Sequence, residues 1–295
     1  MKVFAIIVGL LIDRYYEEAH TLRRFNWFAR LSGWVAGRVR ENRLLDGPMG
    51  VLLVMSPVVI GVGLVNALLT DVFYLLAVIF AVVVLVYCLG PKALGPQVTA
   101  YMSARTGDDP RLARTAAAEI VTGPLPEDLH ELDRAVVHAA LVQVNVRVLS
   151  VVFWFYVLGP VGAVLYRFSH LLITDSDGKE GVGAGFADAA LRLHGILAWL
   201  PARLTAWGYA LMGSFSQARY RWQVRAFDWV DDWVAGNAGV LIASGTGALE
   251  LPDAAEGDAA GAYTVDAVKD ALRLVDRTSW LWLAIIILLA LPRWL

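Results

Sequence analysis

The stretch PMGVLLVMSPVVIGVGLVNALLTDVFYLLAVIFAVVVLVYCLG, Pro48–Gly90, decides the fold. Its one charge is Asp71, and it divides into two apolar runs, Pro48–Leu69 and Val72–Leu89. Each run approaches the roughly 20 residues with which an α-helix crosses a hydrocarbon core about 30 Å thick. In lipid every backbone N–H and C=O must find its partner within the chain, so runs of this kind become helices. Thr70 and Asp71 leave room only for a tight turn. The stretch therefore reads as a hairpin of two spanning helices, ended where Gly90 and Pro91 break the second.

The rest of the chain shares the bias. Charge also vanishes from Val148–Ile173 apart from Arg167, and from Trp280–Leu291. Of 295 residues, 58 % are hydrophobic and only 18 % charged, against about 25 % charged in soluble domains, and the mean hydropathy is +0.58. A formal net charge of -2 lacks the clustered basic excess of a nucleic-acid surface, so no nucleic-acid partner is expected. The single cysteine, Cys88, lies inside an apolar run and excludes a disulfide framework. The expected fold class is all-α: a polytopic helical integral membrane protein with two helical cytoplasmic segments, whose first partner is the lipid bilayer.

Working outward from the hairpin at 48–90, the chain reads as a single membrane domain, 1–295. Residues 1–47 join a short apolar segment, Val3–Ile12, to an interfacial helix over 13–47, where arginines alternate with Phe25, Trp27, Phe28 and Trp34. Its basic excess places that helix on the cytoplasmic side. Residues 91–147 form a cytoplasmic helical segment, with helices over 97–104, 110–120 and 127–144 and a break at Thr122-Gly123-Pro124. Residues 148–213 hold an apolar segment broken at Gly159-Pro160, a polar loop over Thr174–Gly185, and a charged membrane helix over 186–212 with Pro201 near its centre. The Gly-Pro break admits a kinked spanning helix or a re-entrant pair of half-helices. Residues 214–279 are a second polar segment, with an aromatic-basic helix over 216–234, an acidic loop over 248–262 and a helix over 264–276. Residues 280–295 are a C-terminal anchor bracketed by Trp280, Trp282 and Trp294.

The common signatures of phosphate loops, zinc proteases and Cys/His metal centres are absent, and five histidines are scattered without ligand spacing, so neither a cofactor nor a metal is expected. Gly181–Gly185 and Gly245-Thr246-Gly247 lack the preceding strand of a dinucleotide loop, and the first reads as a flexible loop. Ionisable residues in or beside apolar helices are more informative, because a charge in hydrocarbon is costly and faces an interior, a cavity or the headgroups. Arg192 and Arg203 lie three turns apart on a similar face of one helix, which suits a clamp for phosphate or carboxylate, the alternative being snorkelling to the headgroups or pairing with Asp188. Arg111, Arg114 and Glu119 precede the break at Thr122–Pro124. Asn145 and Arg147 stand where polar sequence enters the membrane, a position suited to fixing a helix end or an anionic ligand. Glu119 suits a pair with either arginine, or a divalent ion carried by a phosphate. These seven are the candidate ligand-binding residues, and no residue is assigned a catalytic role.

The order of segments and several motifs resemble the AmpE family of bacterial inner-membrane proteins. The matching stretches are DRYYE (Asp13–Glu17), RLARTAAAEIVTG (Arg111–Gly123), VQVNVRVLSVVFWFYVLGPVGAVLYR (Val142–Arg167) and WLPARLTAWGYALMG (Trp199–Gly213). The resemblance implies a multi-pass inner-membrane protein that signals in beta-lactamase induction, hence in antibiotic resistance and cell-wall recycling, and that binds a small anionic or wall-derived ligand, a protein partner or a second copy of itself. It extends distantly to the membrane-bound cobalamin ligase adenosylcobinamide-phosphate synthase, which joins an aminoalcohol phosphate to a corrinoid carboxylate.

Against the ligase pattern, Phe153-Trp154, the later Gly-Pro-x-Gly and Pro201-Ala202-Arg203-Leu204 are in place. The positions that match the ligase's carboxylates are His138, Val142, Gln143 and Val146, and valine side chains neither bind magnesium nor move protons. The expectation is thus a regulatory or signalling protein rather than an enzyme. The alternatives are a ligase-like enzyme, which would use ATP and Mg, and a transporter of a wall fragment.

Overall fold

The computed structural model describes residues 2–15, 25, 27–33, 46–90, 93–107, 109–176, 183–225, 232–252 and 259–290. Among them there are helices and no strand, as the apolar runs require. Most of the interfacial helix expected over 13–47 lies outside the described residues, which are helical over 27–33. Parts of the loops at 174–185 and 248–262, the end of the helix over 216–234, and Trp294 also lie outside them.

Helix α1 is Lys2–Tyr15, α2 Pro48–Val72 and α3 Tyr74–Cys88. The hairpin turn falls at Phe73, two residues beyond the expected Thr70-Asp71. The polarity of Thr70 does not stop the helix because its hydroxyl donates to the Asn66 carbonyl at 2.7 Å, one turn back. Phe73 then leaves helical geometry at φ -142 while its N–H still donates to Leu69.

Next come α4 Leu94–Thr106, α5 Pro110–Ala118 and α6 Leu129–Val144. The last does not stop where the sequence turns apolar. It passes through one π-helical turn, Asn145–Leu149, into α7, Ser150–Leu158. Gly159 breaks the run at φ +71, a left-handed conformation that glycine adopts without penalty, and α8 follows as Pro160–Ser176. The break is a fold-back rather than a kink. Trp154 and Gly162 are eight residues apart, about 12 Å along a straight helix, yet a Cβ on Gly162 would lie 2.1 Å from the Trp154 carbonyl oxygen.

The chain ends with α9 Ala184–Met212, which contains Pro201, then α10 Phe215–Arg225, α11 Trp233–Ala248 and α12 Val265–Ala290. Two compact units result: Met1–Pro91 with Ser150–Trp199, and Lys92–Leu149 with Leu200–Leu295. In the first, α1 packs on α3 and α7, and α8 packs on α2, α3 and α7. In the second, α6 is the central helix, covered by α4, α5, α11 and α12.

Among the described residues two helices are long and apolar enough to cross a membrane, Pro48–Val72 and Leu129–Leu158. The second is mostly buried within the protein, as the core helix of a soluble domain also is. The first is not: Leu52, Leu53, Ile60, Leu64 and Leu68 are exposed along it. An uncovered apolar surface of that extent calls for lipid rather than water.

Helix α6 begins at a capping residue. The Asp128 carboxylate accepts from the backbone N–H groups of His130 and Glu131, both at 2.9 Å. The Glu131 N–H first, and that of His130 as well, hold the Asp128 pKa below its ordinary value. A carboxylate depressed in the folded state stabilises above its unfolded pKa, about 3.9, and that contribution disappears as pH falls through the lowered folded value. The melting-temperature gap between wild type and Asp128→Ala is therefore expected to be full near neutral pH and to narrow progressively as pH falls below about 4. A gap that stays constant over that range would contradict the cap.

Candidate functional site

The second unit gathers polar side chains around the end of α6. Leu132, Val136, Val137, Ala140, Leu141 and Val144 form its buried face, and Tyr209 donates to the Leu141 carbonyl at 2.7 Å. At Asn145 the pitch widens into the π turn, a local departure that recurs at functional sites. Asn145 is buried and accepts from the Thr205 hydroxyl at 2.9 Å. Arg147, two residues on, is half-buried and turned toward α4 and α6. Its Nε donates to Gln143 Oε1 at 2.9 Å, and its Nη1 to Gln97 Oε1 at 2.6 Å.

Gln97 passes the connection on. Its amide nitrogen donates to the carboxylate of Glu119 at 3.2 Å and to the Glu119 carbonyl at 3.3 Å. Gln143 does the same for the chain that follows α5, with its amide 3.4 Å from the Ile120 carbonyl and 3.5 Å from Thr122. Glu119, at the C-terminus of α5, is exposed and lies within electrostatic reach of Arg147. The result is a carboxylate and a guanidinium bridged by a neutral amide. A guanidinium presents planar donors to phosphate or carboxylate, and a carboxylate accepts from an ammonium group or takes up its proton.

The other candidates sit elsewhere. Arg111 is exposed on α5, and half-buried Arg114 donates to the Glu127 carbonyl at 3.3 Å. Arg203 donates to Asn237 of α11 at 2.9 Å. Two residues on a helix point about 200° apart, so Arg203 faces away from the Thr205–Asn145 contact. Arg192 forms an exposed ion pair with Asp188 at 2.9 Å, one turn away. The partners of Arg192 and Arg203 are therefore different, and the structure does not show them closing on a common one. Of the seven, it brings Glu119 and Arg147 together.

Sequence reasoning missed Gln97 and the group formed by Tyr101, Arg105 and Asp133. Asp133 is fully buried, its Oδ1 taking the Tyr101 hydroxyl at 2.6 Å and Arg105 Nε at 3.1 Å, and its Oδ2 taking Arg105 Nη2 at 2.7 Å. Burial first, then the Asp133 carboxylate, pushes the Tyr101 hydroxyl well above an ordinary tyrosine pKa, and the hydrogen bond to Asp133 raises that of Arg105. The signal was present: Asp133 adjoins Leu132 on an apolar helical face, and Tyr101 and Arg105 are spaced i,i+4. Gln143, one of the non-carboxylate matches, turns out to orient Arg147, while His138 stacks edge-on against Tyr263 at 5.8 Å.

The glycine clusters serve packing. Gly245 and Gly247 lie inside α11, where a Cβ on Gly247 would come 2.7 Å from the Gln217 carbonyl oxygen. In the first unit, Gly183 and Gly185 pass close to Asp46, whose carboxylate accepts from the Phe186 N–H at 2.8 Å. The first turn of α9 is thus met by the protein's own carboxylate, not left open for a phosphate. Among the described residues no group of His, Cys, Asp and Glu is arranged to hold a metal ion.

Comparison with known proteins corrects the resemblance. Residues 6–253 match the family described as CobD/Cbib protein. The Cobalamin biosynthesis protein CobD of Chromobacterium violaceum is 30 % identical over 94 % of this chain and 93 % of its own length. The protein of the same description from Stutzerimonas stutzeri is 32 % identical over 84 % of this chain and 81 % of its own. No solved structure matches significantly. These matches overturn the AmpE assignment, and with it beta-lactamase induction, antibiotic resistance, cell-wall recycling and a purely regulatory role. The expectation that the chain is not an enzyme falls as well, since both relatives are described as biosynthetic proteins. That expectation rested on the four positions matched to the ligase's carboxylates, and the similarity over most of the chain overturns it whatever stands at those four positions.

Proposed function

We propose, from the premise that this chain belongs to the CobD/Cbib protein family, that it is a membrane-bound enzyme of cobalamin biosynthesis that joins an aminoalcohol phosphate to a corrinoid carboxylate. Similarity to two cobalamin biosynthesis proteins over most of the chain carries the reading. The bridged pair in the second unit supports it. An aminoalcohol phosphate bears an anion and an ammonium group, and Arg147 and Glu119 offer the complementary charges. The carboxylate of Asp133 is fully buried against Arg105 and Tyr101; Glu119 is exposed at the C-terminus of α5, where a substrate amine can reach it, and in this reading it accepts the amine's proton. Amide formation also requires the carboxylate oxygen to leave, and a nucleoside triphosphate removes it as phosphate while the amine nitrogen bonds to the carbonyl carbon.

We place the protein in the bacterial inner membrane with more than two crossings. The apolar surface of α3, where Leu75, Leu76, Ile79 and Val83 are exposed, and that of the end of α12, where Leu288 and Leu289 are exposed, support this. The second unit then meets its substrates at the cytoplasmic face.

The test is direct. Protein purified in detergent, given a corrinoid acid, an aminoalcohol phosphate and ATP with magnesium, is expected to yield the amide, read by mass spectrometry as the sum of the two substrates less water. Arg147→Met should lower kcat/KM for the aminoalcohol phosphate about a hundredfold or more, the scale of losing one partner from a hydrogen-bonded charged contact. Absence of product from active-site-intact, folded protein would overturn the reading.

A further inference from the structure

We propose that Gln97 is a positioning residue that sets the phosphate end of this site by holding the Arg147 guanidinium in place and linking it to the Glu119 carboxylate. The proposal rests on the functional reading above. Gln97 is 8 % exposed, on α4, and its amide lies between two groups of opposite charge. Arginine can only donate, so the atom 2.6 Å from Arg147 Nη1 is the amide oxygen. The amide nitrogen is then left to the Glu119 carboxylate at 3.2 Å, which as an anion can only accept. Both ends of the amide thus agree on one orientation.

The residue type follows from this geometry. An uncharged group with one acceptor and one donor joins a guanidinium to a carboxylate without adding charge. A glutamate here would satisfy Arg147 but place a second anion against Glu119. A methionine would fill the volume and bond to neither. Asparagine is one methylene shorter. With Gln143 on its Nε, Arg147 is held from two helices, α4 and α6, so its plane does not follow the rotation of its own long side chain. A preset guanidinium loses less freedom when it takes a phosphate.

Steady-state kinetics of the full chain in detergent test this with wild type, Gln97→Met and Gln97→Glu. For Gln97→Met, KM for the aminoalcohol phosphate is expected to rise roughly ten- to a hundredfold, the scale of a lost hydrogen bond to a charged group. KM for the unphosphorylated aminoalcohol and for the nucleotide should change less than about threefold. Gln97→Glu, which keeps an acceptor for Arg147 but adds a negative charge, should discriminate against the phosphorylated substrate more strongly still. A fall in melting temperature with all KM values unchanged, or an equal rise for phosphorylated and unphosphorylated substrates, would overturn the positioning role and leave Gln97 as a packing residue.

The two readings fail separately. If wild type makes no amide, the proposed reaction fails, and calorimetric titration with the aminoalcohol phosphate still decides the role of Gln97. Binding weakened tenfold or more in Gln97→Met supports the role, and binding equal to wild type, or none to wild type, ends it. Should Gln97→Met not fold, Gln97→Asn supplies the same comparison, because its shorter amide cannot span both partners.

Discussion

Asp133→Ala is expected to destabilise the second unit by about 3–5 kcal/mol, the cost of removing one partner from a buried ion pair. Three hydrogen bonds, from two residues, depend on that carboxylate. The Tyr101 hydroxyl, itself fully buried, loses its 2.6 Å acceptor, and Arg105, 15 % exposed, loses both of its bonds. The guanidinium keeps its charge in a site built to neutralise it, which is why the cost exceeds that of a lost surface pair. Thermal unfolding in detergent measures the effect. The pair Asp133→Leu with Arg105→Met should recover a large part of the loss, because no isolated charge then remains. A single Asp133→Ala variant that melts with wild type would show that Arg105 reaches water without difficulty, and would remove this group from the list of structural supports.

Gly162→Ala should be about as damaging in the first unit, by about 3 kcal/mol or more, the upper range for forcing atoms into a packed site. The added Cβ would meet the Trp154 carbonyl oxygen at 2.1 Å and Leu158 Cβ at 2.8 Å. One of these is backbone, so no rotamer change relieves the clash and α7 and α8 must separate. Two neighbouring glycines calibrate the result. At Gly159 the nearest outside atom is 3.9 Å away, and the cost of alanine is the left-handed backbone alone, about 1–2 kcal/mol. At Gly61, inside α2, a Cβ meets nothing within 4 Å, and alanine should stabilise the helix by roughly 0.5–1 kcal/mol. The order Gly162, Gly159, Gly61 in melting temperature is the expected outcome. Equal effects at Gly162 and Gly159 would mean that the fold-back is looser than the structure has it.

These two sites also mark where reading the chain succeeds and where it stops. Hydropathy located α2 and α3 within a few residues, because lipid and protein core both demand that backbone polar groups be satisfied locally, and local demands are written in local sequence. It also located the break at Gly159-Pro160, but a kink and a fold-back use the same dipeptide. Choosing between them took the approach of Gly162 to Trp154, a contact between turns eight residues apart. Glu119 and Arg147 were each legible as polar groups beside apolar helices, whereas their joining was not. It passes through Gln97, an uncharged residue 50 positions before Arg147, whose importance lies wholly in what stands on either side of its amide. For Arg192 and Arg203 a shared helix face suggested a shared ligand; in the structure Arg192 pairs with Asp188 one turn away on its own helix, and Arg203 donates to Asn237 of α11.

By itself the sequence determined that the chain is all-α and that its apolar surface exceeds what water tolerates, since both follow from composition and periodicity summed over short windows. Only the tertiary structure decided which charges meet. Side chains on α4, α5 and α6 are distant in sequence and become neighbours when the helices pack on the apolar face of α6. The hydrophobic effect that drives the packing is non-directional. Where the polar groups then lie is set by the shape of the packed helices, a property of the whole unit that no window of its sequence contains.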